Sequence, residues 1–543
     1  MKKSLLITFA LISGLSCSAQ AQQSQNVQAD AARIKAHLTF LADDLLEGRD
    51  TGSRGHEIAA LYIASQFAQL GLTPAGDNGT YMQRVPLRQS HLVQSSPKLT
   101  LAGPEGQISL SYPKDYITSG SVAFSLAHLQ GEMVFAGYGI VAPELGHDDY
   151  AGLDVKGKVV VLLSGKPESF PSEEGAHFGS GSEKSRHAIA NGAIGMITIS
   201  TPLAEKVRPY QTLLNYLHTP KMRWLDKSGN PHEAFPELLN DAYFSQDAAA
   251  KLFADAPMSL KDIYAQLEKG NTPKGFALKT RIDFTKQSEH ENISSPNVAA
   301  ILEGSDPVFK NEYVVFSAHS DHIGFAKTVL KDKINNGAMD NATGTSVLLE
   351  TARLFAELPM RPKRSILFVA VTGEEKGLLG ADYFAQQPTV PLNAMVANVN
   401  LDMPILTFES ADVIAFGANH SSLQQTVSEA AKAAGLSLSP DPWPEQALFT
   451  RSDHYMFVKQ GIPSVFLVPG LKSMDPNVDG AKKFGEFIQK HYHKPSDELN
   501  DSFNWQAAKR FAEVNFQIGL SLADDNKRPT WNEDDFFGRA FSK

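Results

Sequence analysis

From about Asn297 onward the 543-residue chain alternates short apolar strands with amphipathic helices, and this alternation constrains the fold more than any other feature. "NVAAILEG", "EYVVFSAH", "RSILFVAVTG", "MVANVNLDM", "ADVIAFG" and "PSVFLVPG" read as strands. Between them, "TGTSVLLETARLFAEL", "GLLGADYFAQQ" and "SSLQQTVSEAAKAAGL" read as helices. Strand and helix in turn predict an α/β fold, a three-layer sandwich with a mostly parallel central sheet and helices on both faces. In such sheets, functional groups collect in the loops at the carboxyl ends of the strands.

Those loops carry an unusual set of side chains. "VVFSAHSDHIGF" runs from strand-forming residues straight into His319, Asp321 and His322. "NNGAMDNATG" places Asp340 just ahead of a helix, and "TGEEKG" puts Glu374 and Glu375 after the next strand. "NLDM" ends in Asp402, and "HYHKPSDEL" supplies His493 and Asp497. Each alone has a plain explanation: a surface histidine, a helix N-cap at Asp340, or acids favoured by a helix dipole at Glu374 and Glu375. Together, five successive boundaries each present a residue type that binds zinc.

Cysteine usage narrows the chemistry. The only cysteine, Cys17, lies in "MKKSLLITFALISGLSCSAQAQQ", which reads as a secretory signal peptide over 1–21: two lysines, a short apolar run and a small-x-small cleavage site at Ala19–Ala21. Gly14 sits where a lipoprotein signal carries an aliphatic residue, which argues against a membrane anchor through an acylated Cys17. The expected destination is periplasmic or extracellular. A mature chain without thiols has to hold metal through histidine, carboxylate or water. Two ions suit this set better than one. Asp340 can bridge through its two oxygens, leaving the pairs His319 with Asp402 and His493 with Glu375. Asp321, two residues beyond His319, is placed to accept its ring N–H and fix the imidazole. Glu374 and Glu375 are adjacent and point different ways, so one is a ligand and one a general base. Spacing leaves open which is which, and His322 has no assigned role.

"SAHSDHIGF", "NGAMDNATGTSVLLETAR", "TGEEKGLLGADYF", "NLDM" and "YHKPSDEL" resemble the motif set of the co-catalytic dizinc exopeptidases, the family of bacterial leucyl aminopeptidases and glutamate carboxypeptidase. The resemblance covers nearly all of 297–499. It implies two zinc ions, held by His319 and Asp402 and by Glu375 and His493, with Asp340 bridging. It also implies Glu374 as general base, Asp321 as the residue that orients His319, and peptides as substrates. "RSDHYMFVKQGIPSVFL" is similar to a family segment near the active-site mouth, which implies that Asp453 and His454 lie near substrate; a structural role for the pair is the competing reading. "VFAGYGIVAPELGHDDYAGLDVKGKVVVLL" looks like a protease-associated domain inserted into the catalytic domain.

The expected organisation is thus a signal peptide over 1–21, an N-terminal part of the peptidase domain over 22–122, a β-rich protease-associated insert with its return segment over 123–284, and the main zinc peptidase part over 285–543. The function expected is that of an aminopeptidase. A carboxypeptidase or dipeptidase would keep every metal residue and differ only in its pocket, and a peptide-binding protein with an idle site would have no need of Glu374. Two metals could also serve a phosphoesterase, but no arginine or lysine accompanies the motifs to clamp phosphate. The net charge of −10 is spread along the chain without a basic patch, which disfavours nucleic acid as a partner. No second apolar run is long enough to span a membrane.

Overall fold

The computed structural model describes residues 27–104 and 106–542. The expected signal peptide, with Cys17, lies outside the described residues. The chain divides into two compact units: one comprises residues up to Val85, Ser295–Asp441 and Ser452–Lys543, the other Pro86–Ser294 and Pro442–Arg451. No helix among the described residues is long and apolar enough to cross a membrane.

The elements of the first unit are α1 (Ala31–Leu41), α2 (Arg54–Gln69), the end of a long strand β1 (Phe276–Leu302), β2 (Tyr313–His319), α3 (Thr343–Ala356), β3 (Ser365–Val371), α4 (Leu379–Gln386), β4 (Met395–Leu401), β5 (Asp412–Phe416), α5 (Leu423–Ala433), α6 (His454–Val458), β6 (Ser464–Pro469), α7 (Gly480–Lys490) and α8 (Trp505–Asp524). The sheet order is β1-β3-β2-β4-β6-β5. The four central strands are parallel, and β1 and β5 flank them antiparallel. All seven residues of β3 and of β4 are buried, as in strands covered on both faces; β3 is almost wholly apolar, whereas β4 carries Asn398 and Asn400 inward with their amide N–H groups hydrogen-bonded.

Val314, Phe316 and Ala318 of β2 pack in one core with Leu348 and Phe355 of α3, Phe67 of α2 and Phe516 of α8. Alternate residues of a strand face opposite ways, and the other face carries α6, which packs on β4 and β6. The helix α4 joins α6 there, with the Phe384 and Phe457 rings 6.2 Å apart. The sheet is therefore a middle layer. The spacing of Ile34, Leu38, Leu41 and Leu45 predicts a helix that runs on to Leu45, and the structure stops it earlier. The helix α1 ends at Leu41, and the Asp43 carboxylate accepts the Leu45 N–H at 2.9 Å to start a tight turn over Asp44–Arg49. That turn buries Leu46 and exposes Leu45.

The second unit is built on a mixed sheet of its own. Lys98–Gly103, Leu126–Phe135 and the first part of β1 pair antiparallel, with β1 between the other two. Leu126–Phe135, Val159–Leu163, Gly195–Ile199 and Asp241–Phe244 then pair side by side in parallel. Residues 98–110, expected with the peptidase part, belong here because Leu99–Ala102 register against Arg281–Phe284. The stretch expected as a simple return segment likewise contributes the strand Asp241–Phe244. Between the strands, a buried Lys184 donates to the carbonyls of Leu163 and Gly165 at 2.8 and 2.7 Å.

Candidate metal centre

Parallel pairing sets His319 level with Val371 and Ser317 level with Asn400, so β2, β3 and β4 end along one edge of the sheet. Strands in a ladder are ~4.8 Å apart. The residues just beyond three adjacent strand ends are therefore forced into one small volume. His319 closes β2, Glu374 and Glu375 come after β3, and Asp402 comes after β4. Asp340 comes from a turn over Ala338–Ala342 that leads into α3, and His493 from the turn after α7.

The structure brings all six together. His319 Nε2 lies 3.1 Å from Asp402 Oδ1 and 3.4 Å from Asp340 Oδ1. His493 Nε2 lies 3.1 Å from Asp340 Oδ2 and 3.2 Å from Glu375 Oε2. The donors also form two groups with all ligand atoms within 4.8 Å of one another: His319, Glu374 and Asp402, and His322, Asp340 and Glu375. Two donors on a tetrahedral zinc ion sit about 3.3 Å apart, given metal–ligand distances of roughly 2.0–2.1 Å. Both triads built on Asp340 match that spacing, so the donor set fits the metal.

Electrostatics point the same way. Burial pushes the Glu374 carboxyl well above the usual carboxylate range; Glu375, Asp402 and Asp453 add to the rise against the pull of His319. For Glu375, burial is outweighed by His493 and His322, which hold it well below that range. Asp453, buried with both carboxylate oxygens unbonded, is likewise pushed well up by burial. So many buried acids around two or three imidazoles leave negative charge in excess, and dications are what balance such a site.

The plain explanations fail for two of the motifs. Asp340 caps no helix: the residue ahead of α3 is Ala342, and no side chain caps that helix. Glu374 and Glu375 precede α4 by several residues, and the Glu375 side chain is only 5% exposed. The expected contact of Asp321 with His319 needs correction. The His319 Nδ1 hydrogen bond goes to the main-chain carbonyl of Asp321 at 3.2 Å, while the nearer carboxylate oxygen of Asp321 stands 3.9 Å away. That carboxylate is engaged instead by the Thr51 hydroxyl at 3.0 Å and the Glu374 N–H at 3.2 Å. Asp453 and His454 are fully buried; Asp453 lies close enough to the centre for its charge to raise Glu374, while the His454 ring packs at 5.4 Å from that of Phe466.

Several residues support the site in ways that the motifs do not assign. Ser452 donates to Asp402 Oδ2 at 2.5 Å and accepts from Asn400 Nδ2 at 2.7 Å. The bonds continue through Asn400 Oδ1 to Ser317 and from Ser317 to Asn398, a polar line inside the sheet. Asp497 accepts the N–H groups of Met339 and Asp340, at 2.9 and 3.1 Å, and so shapes the turn that presents Asp340. Arg49 is 1% exposed, with a left-handed backbone (φ 48°). Its guanidinium donates to the carbonyls of Leu41, Ser320, Asn336 and Gly337. It thereby ties the His319 loop to the Asp340 loop. A glycine-rich turn, "RDTGSRG", gives no hint of this, because the partners in the two loops, Ser320, Asn336 and Gly337, lie more than 270 residues away.

Residues 297–518 match the family described as Peptidase family M28. Among curated proteins, the chain is 48% identical over 112 residues to a probable zinc metalloprotease of Pyrenophora teres f. teres, covering 20% of this chain and 23% of that one. It is 28% identical over 215 residues to the aminopeptidase YwaD of Bacillus subtilis, covering 38% and 40%. The match thus spans less than half the length of either relative. Among solved structures, the aminopeptidase from Aneurinibacillus sp. strain AM-1 superposes with a TM-score of 0.54 at 17% identity, over 95% of this chain and 99% of that one, a likeness of fold.

Proposed function

Residues 297–518 belong to peptidase family M28, and from that premise we propose that the chain is a zinc-dependent aminopeptidase that removes N-terminal residues from peptides. The observation that carries this reading is Asp340, which turns one oxygen to His319 and the other to His493. His319 and Asp402 with one Asp340 oxygen would hold one zinc ion; His493 and Glu375 with the other would hold a second. Bound there, zinc polarises the scissile carbonyl and makes water more acidic. Glu374 is the acid left over. It takes the proton of the attacking water and delivers it to the leaving amine, the general base and then general acid of the reaction. Its raised proton affinity suits the second half of that task. Asp321 holds the Glu374 main chain through the 3.2 Å bond to its N–H, and Thr51 holds Asp321.

The second unit, Pro86–Ser294, is read as the protease-associated insert. Export to the periplasm or exterior is part of the proposal and rests on residues 1–21; sequencing the N-terminus of the secreted protein tests it. The function is tested by hydrolysis of one peptide series with free, acetylated and amidated ends, with zinc-loaded and chelated protein. Chelator-sensitive loss of the first residue, blocked by acetylation, is the expected result. Cleavage that survives acetylation but needs a free carboxylate would move the chain to the carboxypeptidase branch, and no zinc-dependent cleavage would overturn the reading.

A further inference from the structure

The second histidine of "HSDH" is a buried side chain at the metal centre that the proposed reaction does not use. His322 is fully buried. Its Nδ1 lies 2.7 Å from Glu375 Oε1 and 4.0 Å from Asp340 Oδ2, and its ring is 5.6 Å from that of His493. Proximity alone makes it a candidate ligand alongside Asp340 and Glu375.

The distances decide against that. Donors sharing one tetrahedral zinc stand about 3.3 Å apart, as His493 does from both of its carboxylate partners. A separation of 2.7 Å is too short for two ligands of one ion and is that of a charge-assisted N–H···O hydrogen bond. The two oxygens of Glu375 are thereby divided: Oε1 faces His322 and Oε2 faces His493.

The ring is held in place from two other sides. The His322 main-chain N–H donates to the Arg49 carbonyl at 3.1 Å. Gly337, at φ +58°, presses its bare Cα against the imidazole, and a Cβ there would lie 2.5 Å from His322 Cδ2. His322 Nε2 is buried without a partner. With the proton on Nδ1, Nε2 carries only a lone pair, so no N–H is left stranded.

We propose that His322 is a positioning residue: its Nδ1–H donates to Glu375 Oε1 and so directs Oε2 toward the metal position shared with His493 and Asp340. This inference rests on the zinc-site reading above. A carboxylate free to rotate or to swap oxygens would bind that ion less well, and loss of such supporting bonds typically weakens metal affinity about 10–100-fold.

The test is a zinc competition titration of the full chain, wild type beside H322A, H322Q, H322N and H493A. The wild type is expected to take up two ions. H322A and H322Q should bind one of them about 10–100-fold more weakly and the other unchanged; H322Q fills the space but puts its amide at the place of Nε2. H322N, whose amide nitrogen reaches near the place of Nδ1, should return affinity to within a few-fold of wild type, while H493A should lose that ion altogether. Unchanged affinity for both ions in H322A and H322Q overturns the proposal. So does a loss as complete as that in H493A without rescue by asparagine, since His322 would then be a ligand. A wild-type chain that takes up no zinc overturns the metal-site reading itself, a result visible before any variant is compared.

Discussion

Ser452 donates a 2.5 Å hydrogen bond to Asp402 Oδ2, and this fixes Oδ1 as the oxygen that Asp402 turns to His319. The bond is fully buried and is the last link of the polar line that starts at Asn398. S452A removes it and leaves Asn400 Nδ2 without its acceptor. Zinc affinity at the His319 position is expected to fall about 10–100-fold, read by competition titration, with the far-UV circular dichroism of the metal-free chain unchanged.

Glu374 and Glu375 should separate cleanly by substitution. E374Q is expected to lower kcat about 10²–10⁴-fold, the usual worth of a general base, while zinc content stays at the wild-type level. E375Q is expected to reduce zinc content first. Activity and metal analysis of the same preparations check both, and E374Q protein that has lost zinc would make Glu374 a ligand, as its nearness to His319 and Asp402 allows.

Gly337 leaves no room for a side chain. An alanine Cβ would lie 2.2 Å from the Asp340 carbonyl oxygen and 2.5 Å from the His322 ring, on a left-handed backbone. G337A is expected to displace the turn that carries Asp340, with loss of zinc uptake and a destabilisation of about 1–3 kcal/mol from backbone strain alone, measured by denaturant unfolding.

The second unit should show a pH dependence of its own. Burial lowers the Lys184 ammonium to about 7, against the pull of Asp149. Between pH 7 and about 10.5 the unfolded chain holds a proton there that the folded chain has released, so unfolding free energy rises with pH across that window. A gain of a few kcal/mol is expected, tracked by denaturant unfolding between pH 7 and 10; K184M should flatten the slope.

The strands and the candidate ligands are legible in the sequence for one physical reason. A parallel strand covered on both faces has to be a short apolar run, and the residues just past its carboxyl end face the common crevice, so His319, Glu375 and Asp402 announce themselves by position. Asp340 and His493 stand in turns beside helices rather than at strand ends, and only their company with the other boundaries marks them. Thr51 and Ser452 are illegible because a lone hydroxyl in a polar stretch has no periodicity and its partner is set by tertiary contact. The role of Asp321 is misread from spacing, which says which side chain is near an imidazole, because here the main-chain carbonyl is nearer. The strand Asp241–Phe244 escapes notice because four residues between polar turns carry too weak an alternation.

Arg49 has a bearing on where this chain can be cut. The segment that matches the family begins at residue 297, yet the guanidinium that joins its His319 and Asp340 loops comes from near the start of the chain. A fragment trimmed to the matching residues would keep the strands and the ligands and still expose the carbonyls of Ser320, Asn336 and Gly337 without their donor. The limits of recognisable similarity and the limits of what holds the candidate site together are different lines on this sequence, and only the longer piece contains Arg49.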